Sequence, residues 1–598
     1  MRLSRWKSHG AKMKQAITLL LRAILTFLFL QEVAGTPTRN GQPFLIKINN
    51  ETALIGNDFW NVTIGRQYGT KLYYKGVDLV GKAVGHYVSY NGAQSDLNLT
   101  NAYIYKKTEK YTDIAFIAKE GEFHWVLTPT LTGAYQYFVN KALPTLGEFR
   151  TLWRLANDSF TTGHTEERDQ VLPTRADIIA ATNVQDETWQ RADGTFITKY
   201  DFSAFLPVIE DQLSYWGVYG SLAGGNGEKV GSWYVHGGKD YFNGNHLKQE
   251  LMVHRETQTG DTVQLNMIHG THFQAVSSDV FPVGKTWGPW LWYLNDGSIS
   301  DVEARAKQEN SAWPYDWFND DLGFHTRGKL SGRIILSDGR PASGAAVFLG
   351  DNNSNLTALD QGAWYYYRTY ADKDGNFKFD DVREGVWALQ AWANGGSLGD
   401  VTTTFKLNDV STVKGKETKI GKLTWATQGR KKIWQIGEID RKATGFSQSG
   451  LPRSHGRVAL CPANSTFTIG VSSTSDWCYA QGVLGTRTVA FNIPSLPVAQ
   501  GNGTAPAAVL SIALAGYSAG VSGTFRANGV AVGSLTTGTI PTDPSVYRSG
   551  TLAGEWNLYQ FTVPAAVLKT GANTVDFQIT RNTTWRGFMY DSILLEWA

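Results

Sequence analysis

Apolar and polar residues alternate along most of this chain with the two-residue period of half-buried strands, and Gly, Asn and Asp cut the alternation repeatedly. Residues 52–64 read as strand, turn and strand around Gly56, Asn57 and Asp58, and residues 230–235 as a strand ending before Gly237 and Gly238. One stretch breaks the period. Residues 300–311 have helical spacing, with Asp301 near the start and Pro314 beyond the end. Many strands and few helices predict an all-β fold whose N-terminal part is a large antiparallel β-sandwich.

The pattern shifts twice more. Residues 330–349 read as strand, turn, strand, and residues 370–389 give three further strands joined at Asp374-Gly375 and Glu384-Gly385. This unit resembles the small fibronectin-III or transthyretin-like β-sandwich that accompanies many secreted enzymes. Asp372, Asp374 and Asn376 have the spacing that opens a calcium loop. Phe377 and Arg383, however, stand where such a loop needs its Gly and its bidentate Glu, so a hairpin turn is the better reading. Beyond the polar stretch 428–432, strands at 509–514, 555–563 and 574–579 alternate with Gly-rich turns, as in a carbohydrate-binding-like jelly-roll. The expected division is 1–35, 36–325, 326–425 and 426–598.

The first of these spans reads as an address. Arg2, Arg5, Lys7, Lys12 and Lys14 precede an apolar run from 16 to 30, and small residues follow up to Gly35. That is the order of a secretory signal peptide, with a signal anchor as the alternative. Export suits the two cysteines, Cys461 and Cys478, which are close enough to close a short disulfide loop, a buried free pair being the alternative. It also suits nine N-glycosylation sequons, at Asn50, Asn61, Asn98, Asn157, Asn352, Asn355, Asn464, Asn502 and Asn582. The expected location is extracellular. A net charge of +3 without a basic block past the leader argues against nucleic acid and membrane surfaces as partners. An aromatic content of 13%, with 21 Trp, serves sandwich cores and sugar-stacking faces equally well.

An ordered set of motifs narrows this. LGEFRTLWRL (146–155), TKYDFS (198–203), YFNGNHLKQELMVH (241–254) and MIHGTHF (267–273) lie in the first domain. Residues 344–350 and WANGG (392–396) mark the second. IGEIDRKATGF (436–446) and WRGFMYDSILLEW (585–597) open and close the third. Together they resemble the rhamnogalacturonan lyases of polysaccharide lyase family 4, in a longer branch than the compact fungal form. The resemblance implies a secreted monomer that needs no cofactor, a structural calcium being left open. Its partner would be rhamnogalacturonan I, cut at the rhamnose-α-1,4-galacturonate bond by β-elimination to leave a 4,5-unsaturated galacturonate. It implies a lysine base at Lys199, a histidine acid at His272 and carboxylate-binding arginines at Arg150 and Arg154. His246, His254 and His269 compete with His272.

β-Elimination needs those residue types. The C5 proton is α to a carboxylate and very weakly acidic, so the site must supply a base, a neutraliser for the enolate-like charge and an acid for the leaving oxygen. A lysine is a base only if burial or nearby cations lower its pKa. Arginines four apart share one face of a strand and grip a carboxylate with two prongs. Two other classes remain open. One is a glycoside hydrolase using carboxylates such as Glu250 and Asp240. The other is a non-catalytic wall-binding protein. The third domain, with Trp585 as a candidate sugar-facing or core residue, is expected to dock or bind wall and to carry no chemistry.

Overall fold

The computed structural model of the protein describes residues 41–92, 96–273, 280–450, 453–497 and 506–598. The expected signal peptide and the Asn502 sequon lie outside the described residues.

The first domain is two antiparallel sheets packed face to face. One has ten strands, and from its middle to one edge it runs Gly85–Tyr90, Glu148–Leu155, Thr262–Gly270, Gln249–Arg255 and Phe202–Phe205. The other has nine, with Lys229–Val235, Thr286–Asn295 and Gly133–Asn140 at its middle. The core between them is aromatic: Trp60, Trp125, Trp153, Trp287, Trp290 and Trp292 are all buried. His86 sits among them, 4.9 Å from Trp125 and 5.0 Å from Trp153 between ring centroids, and its Nε2 pairs with Thr151 Oγ1 at 2.8 Å. Burial pushes this imidazole down to about 3.

The predicted helix is present as Ile299–Ala312, capped by Ser298. A short helix, Arg175–Ala180, and a three-stranded sheet between residues 182 and 198 had no periodicity to announce them.

The sheets change at Arg327. Arg327–Leu336, Asn376–Arg383 and Glu417–Trp425 form one sheet of the second domain; Ala346–Gly350, Tyr367–Tyr370, Gly385–Trp392 and Phe405–Thr412 form the other. The turn at Asp374-Gly375 therefore joins opposing sheets and is not a hairpin within one. The Asp372 carboxylate accepts from the turn's own amides, Asp374 N at 2.8 Å and Asn376 N at 2.9 Å. The third domain is two five-stranded sheets running from Lys431 to Trp597, and Cys461 and Cys478 are disulfide-bonded within it. Seven of the described sequon asparagines are exposed. Asn61 is only 5% exposed, on Trp60–Ile64, so a glycan has no room there in the folded chain.

The domains interlock. Asp240 takes Arg327 at 3.0 Å and Arg383 at 3.3 Å, and Arg383 also takes Asp320 at 2.7 Å. Arg368 of the second domain donates to the carbonyls of Gly244 (3.0 Å) and Phe242 (2.6 Å). Residues 236–248, which have no regular secondary structure, are thereby pinned, and all but Leu247 are buried.

Candidate active site

The outer face of the ten-stranded sheet carries a small apolar patch: Leu152, Leu251, Val263, Leu265 and Met267 on three adjacent strands, covered by Tyr200 and Phe273. Alternation along Glu148–Leu155 sends Phe149, Trp153 and Leu155 into the core and leaves Leu152 outside, with Arg150 and Arg154 on the same side as Leu152. Both arginines are thus presented beside the patch.

Each of the other groups arrives by a register. Phe202 stands opposite Val253, so the single 3-10 turn Lys199–Asp201, which leads into the Phe202 strand, brings Lys199 up to His254. Thr198 caps that turn by accepting from Tyr200 N at 3.3 Å. Glu148 stands opposite Gly270, so the chain leaving that strand carries His272 back over Glu148. His254 and Arg154 both pair with Val263, from opposite sides.

The result is a cluster of cations on a partly enclosed face. The His272 and Lys199 side chains are 12% and 16% exposed. Burial, then the positive charges of Lys199, Arg150 and Arg548, push His272 far below the ordinary imidazole range. His254 is driven down in the same way by burial and then by Lys199, His272, Arg154 and Arg150. All four residues expected at the site therefore act on one imidazole, that of His254. Carboxylates hold the cations in place. Glu148 meets Arg150 at 3.2 Å and His272 at 3.6 Å, Glu187 meets Lys199 at 3.0 Å, and Glu256 meets Arg154 at 3.0 Å. Arg150 also donates from Nε to Ser89 Oγ at 2.9 Å.

Of the three competing histidines, His254 stands within the cluster beside His272, and the other two lie elsewhere. His246 lies at the seam with the second domain, its Nε2 at 2.9 Å from Thr369 O, packed on Trp392. His269 turns inward against Phe281 and Trp287, with Lys285 and Lys248 as its charged neighbours. The carboxylates of the hydrolase reading are committed elsewhere. Asp240 is locked between Arg327 and Arg383, while Glu250, with Lys248 at 3.0 Å, is fully buried. Among the described residues no group of three or more His, Cys, Asp or Glu side chains is placed to hold a metal ion.

Several neighbours escaped the sequence reading. Glu148 and Tyr200 lie inside the motifs that carried it, but nothing in the alternation singles them out. Arg548 had no signal at all: it comes from the third domain and reaches the backbone of His272 across the domain seam. Trp585 packs edge-on against His455 and Phe196 at the seam of the first and third domains, at 4.8 and 5.9 Å.

Comparison with known proteins places this architecture. Residues 337–419 match the model for polysaccharide lyase family 4, domain II, and residues 432–595 that for polysaccharide lyase family 4, domain III. This all-β chain therefore carries two domains that match models of polysaccharide lyase family 4, behind a β-sandwich that bears a cationic cluster. Along its length it is similar to the rhamnogalacturonate lyase of Dickeya dadantii, at 28% identity over 96% of this chain and 97% of that protein. It is also similar to the probable rhamnogalacturonate lyases B of Aspergillus niger (27% identity, 55% of this chain, 49% of that protein) and Aspergillus flavus (25%, 68% and 66%). The chain spans about half the length of the A. niger relative.

Proposed function

We propose that this chain is an exported rhamnogalacturonan lyase that cleaves the rhamnose-α-1,4-galacturonate bond by β-elimination. What carries the reading is the meeting of Lys199, His272 and Arg150 from three separate segments around His254. In this mechanism Lys199 leaves Glu187, gives up one proton to solvent and, as the neutral amine, takes the C5 proton of a galacturonate. The C–H electron pair moves into the carboxylate as an enolate, whose charge Arg150 neutralises with a two-pronged contact. Collapse of the enolate forms the C4–C5 double bond and breaks the C4–O bond, and His272 protonates the departing rhamnosyl oxygen. Arg154, already shared by Glu256, Asp261 and Tyr87, holds the far end of the same strand. Export is supported by the leader-like N-terminal sequence, the disulfide and the exposed sequons.

The test is the ultraviolet absorbance of the conjugated double bond as soluble rhamnogalacturonan is digested. Wild type should generate it. Lys199→Ala should stay folded and lose about 10²–10⁴-fold in turnover. Arg150→Lys, which keeps the charge and loses the fork, should also be slow. Saturated products, or binding without turnover, would overturn the reading.

A further inference from the structure

The loop 543–554 of the third domain reaches the first domain beside His272. Its shape is fixed from within. The buried Asp543 carboxylate accepts from Tyr517 N (2.8 Å), Ser545 N (2.7 Å) and Glu555 N (3.2 Å), and Arg548 N bonds Pro544 O at 2.7 Å. Ser549 then takes a left-handed conformation, φ +68°, which turns the chain immediately after Arg548.

From this bracket the Arg548 guanidinium spreads over both halves of the site. Nη1 donates to the backbone carbonyl of His272. Nη2 donates to Asp186 Oδ2 at 3.1 Å, and the same oxygen accepts from Tyr200 OH at 2.9 Å. The guanidinium lies over the Tyr200 ring, 4.9 Å from its centroid. The neighbouring Tyr547 carbonyl takes Gln185 Nε2 at 2.5 Å. Tyr200 is next in sequence to Lys199, and Asp186 is next to Glu187, the partner of Lys199. One side chain therefore fastens the segment bearing His272 to the two segments that hold Lys199.

We infer that Arg548 is a positioning residue for the elimination, setting the spacing between the His272 acid and the Lys199 base, so that the lyase site is completed only by the third domain. This rests on the proposed roles of Lys199 and His272. Misplacement of about 1 Å can cost about 10²-fold in rate, so a link of this kind acts on turnover more than on affinity. Arg548 is also one of the cations that, after burial, push the His272 imidazole down. Its removal should let His272 stay protonated to higher pH.

The experiment uses the full-length chain and soluble rhamnogalacturonan oligosaccharides. Arg548→Ala should lower kcat by about 10- to 100-fold with little change in KM, and the alkaline limb of its pH profile should move to higher pH. Arg548→Lys should keep the wild-type limb, because the charge remains, with kcat reduced by loss of the fork; it also serves if the alanine variant does not fold. Arg453→Ala breaks the same seam at Ser203 and Gln249, and Arg453 is not among the charges acting on His272, so its limb should stay in place. Wild-type kcat and limb in Arg548→Ala, with Lys199→Ala dead, would overturn this inference and leave the lyase reading standing. Elimination surviving in Lys199→Ala would overturn both.

Discussion

His272 Nδ1 stands 3.6 Å from Glu148 Oε2, beyond hydrogen-bond reach but within ion-pair range. Because the other oxygen of Glu148 meets Arg150, one carboxylate sits between the proposed acid and the proposed carboxylate clamp. It is the nearest anion to an imidazole otherwise ringed by cations. Glu148→Gln removes that anion, so His272 should give up its proton at lower pH and the alkaline limb should move down. This is the opposite of the shift expected for Arg548→Ala. Parallel pH profiles of the two variants check the pair of signs, and two shifts of the same sign would refute the electrostatic account.

Substrate binding should take up protons. His272 and His254 are held far below the ordinary imidazole range by burial and by positive neighbours. A galacturonate carboxylate arriving among Arg150 and Lys199 offsets that field, which raises the proton affinity of both rings. Calorimetric titration of Lys199→Ala with oligosaccharide, in buffers of different ionisation enthalpy, should show net uptake near pH 6. Proton release, or no linkage, would contradict it.

His86 gives a stability test away from the site. Its folded value of about 3 lies below the unfolded value near 6.5, so its contribution is complete above 6.5 and is lost as pH falls toward about 3. His86→Gln retains a partner for Thr151 and has no proton to gain. The variant should be less stable than wild type at pH 7.5, and the difference in Tm should shrink steadily toward pH 5. A constant difference would mean that His86 is not neutral in the folded core.

The Lys248–Glu250 pair, 3.0 Å apart and fully buried, offers another. Burial lowers Lys248 and raises Glu250 to about 8, each against the pull of its partner. Lys248→Met strands a carboxylate in the interior and should cost about 3–5 kcal/mol. Glu250→Gln keeps the shape without the charge, and should cost less in denaturant unfolding.

Much of the architecture was legible because strand alternation is local. The turn at Gly56 and the helix after Ser298 follow from neighbouring residues alone, whereas in the second domain the successive strands Tyr367–Tyr370 and Asn376–Arg383 lie in opposing sheets, which local pattern does not reveal. The site was legible only where a motif carried it. Arg150 and Arg154 share a face by strand geometry, but the choice of His272 over His269 depends on which way the chain turns after Gly270. That is decided by pairing with Glu148, 122 positions away by residue number (270 − 148). Arg548 is still further off in sequence, and a guanidinium that binds a backbone carbonyl leaves no mark on the residue it holds.

The coil at residues 236–248, sealed by Arg368 and its carbonyl contacts, has a consequence in time. Backbone amides without regular structure ordinarily exchange with solvent within seconds, because nothing has to open. Here water is excluded, and Asn243 Oδ1 receives the amide of Gly270 at 2.9 Å. Exposing this stretch means parting the first domain from the second. Its deuterium uptake should therefore be as slow as that of the sheet strands around it, and should rise together with theirs as denaturant approaches the midpoint.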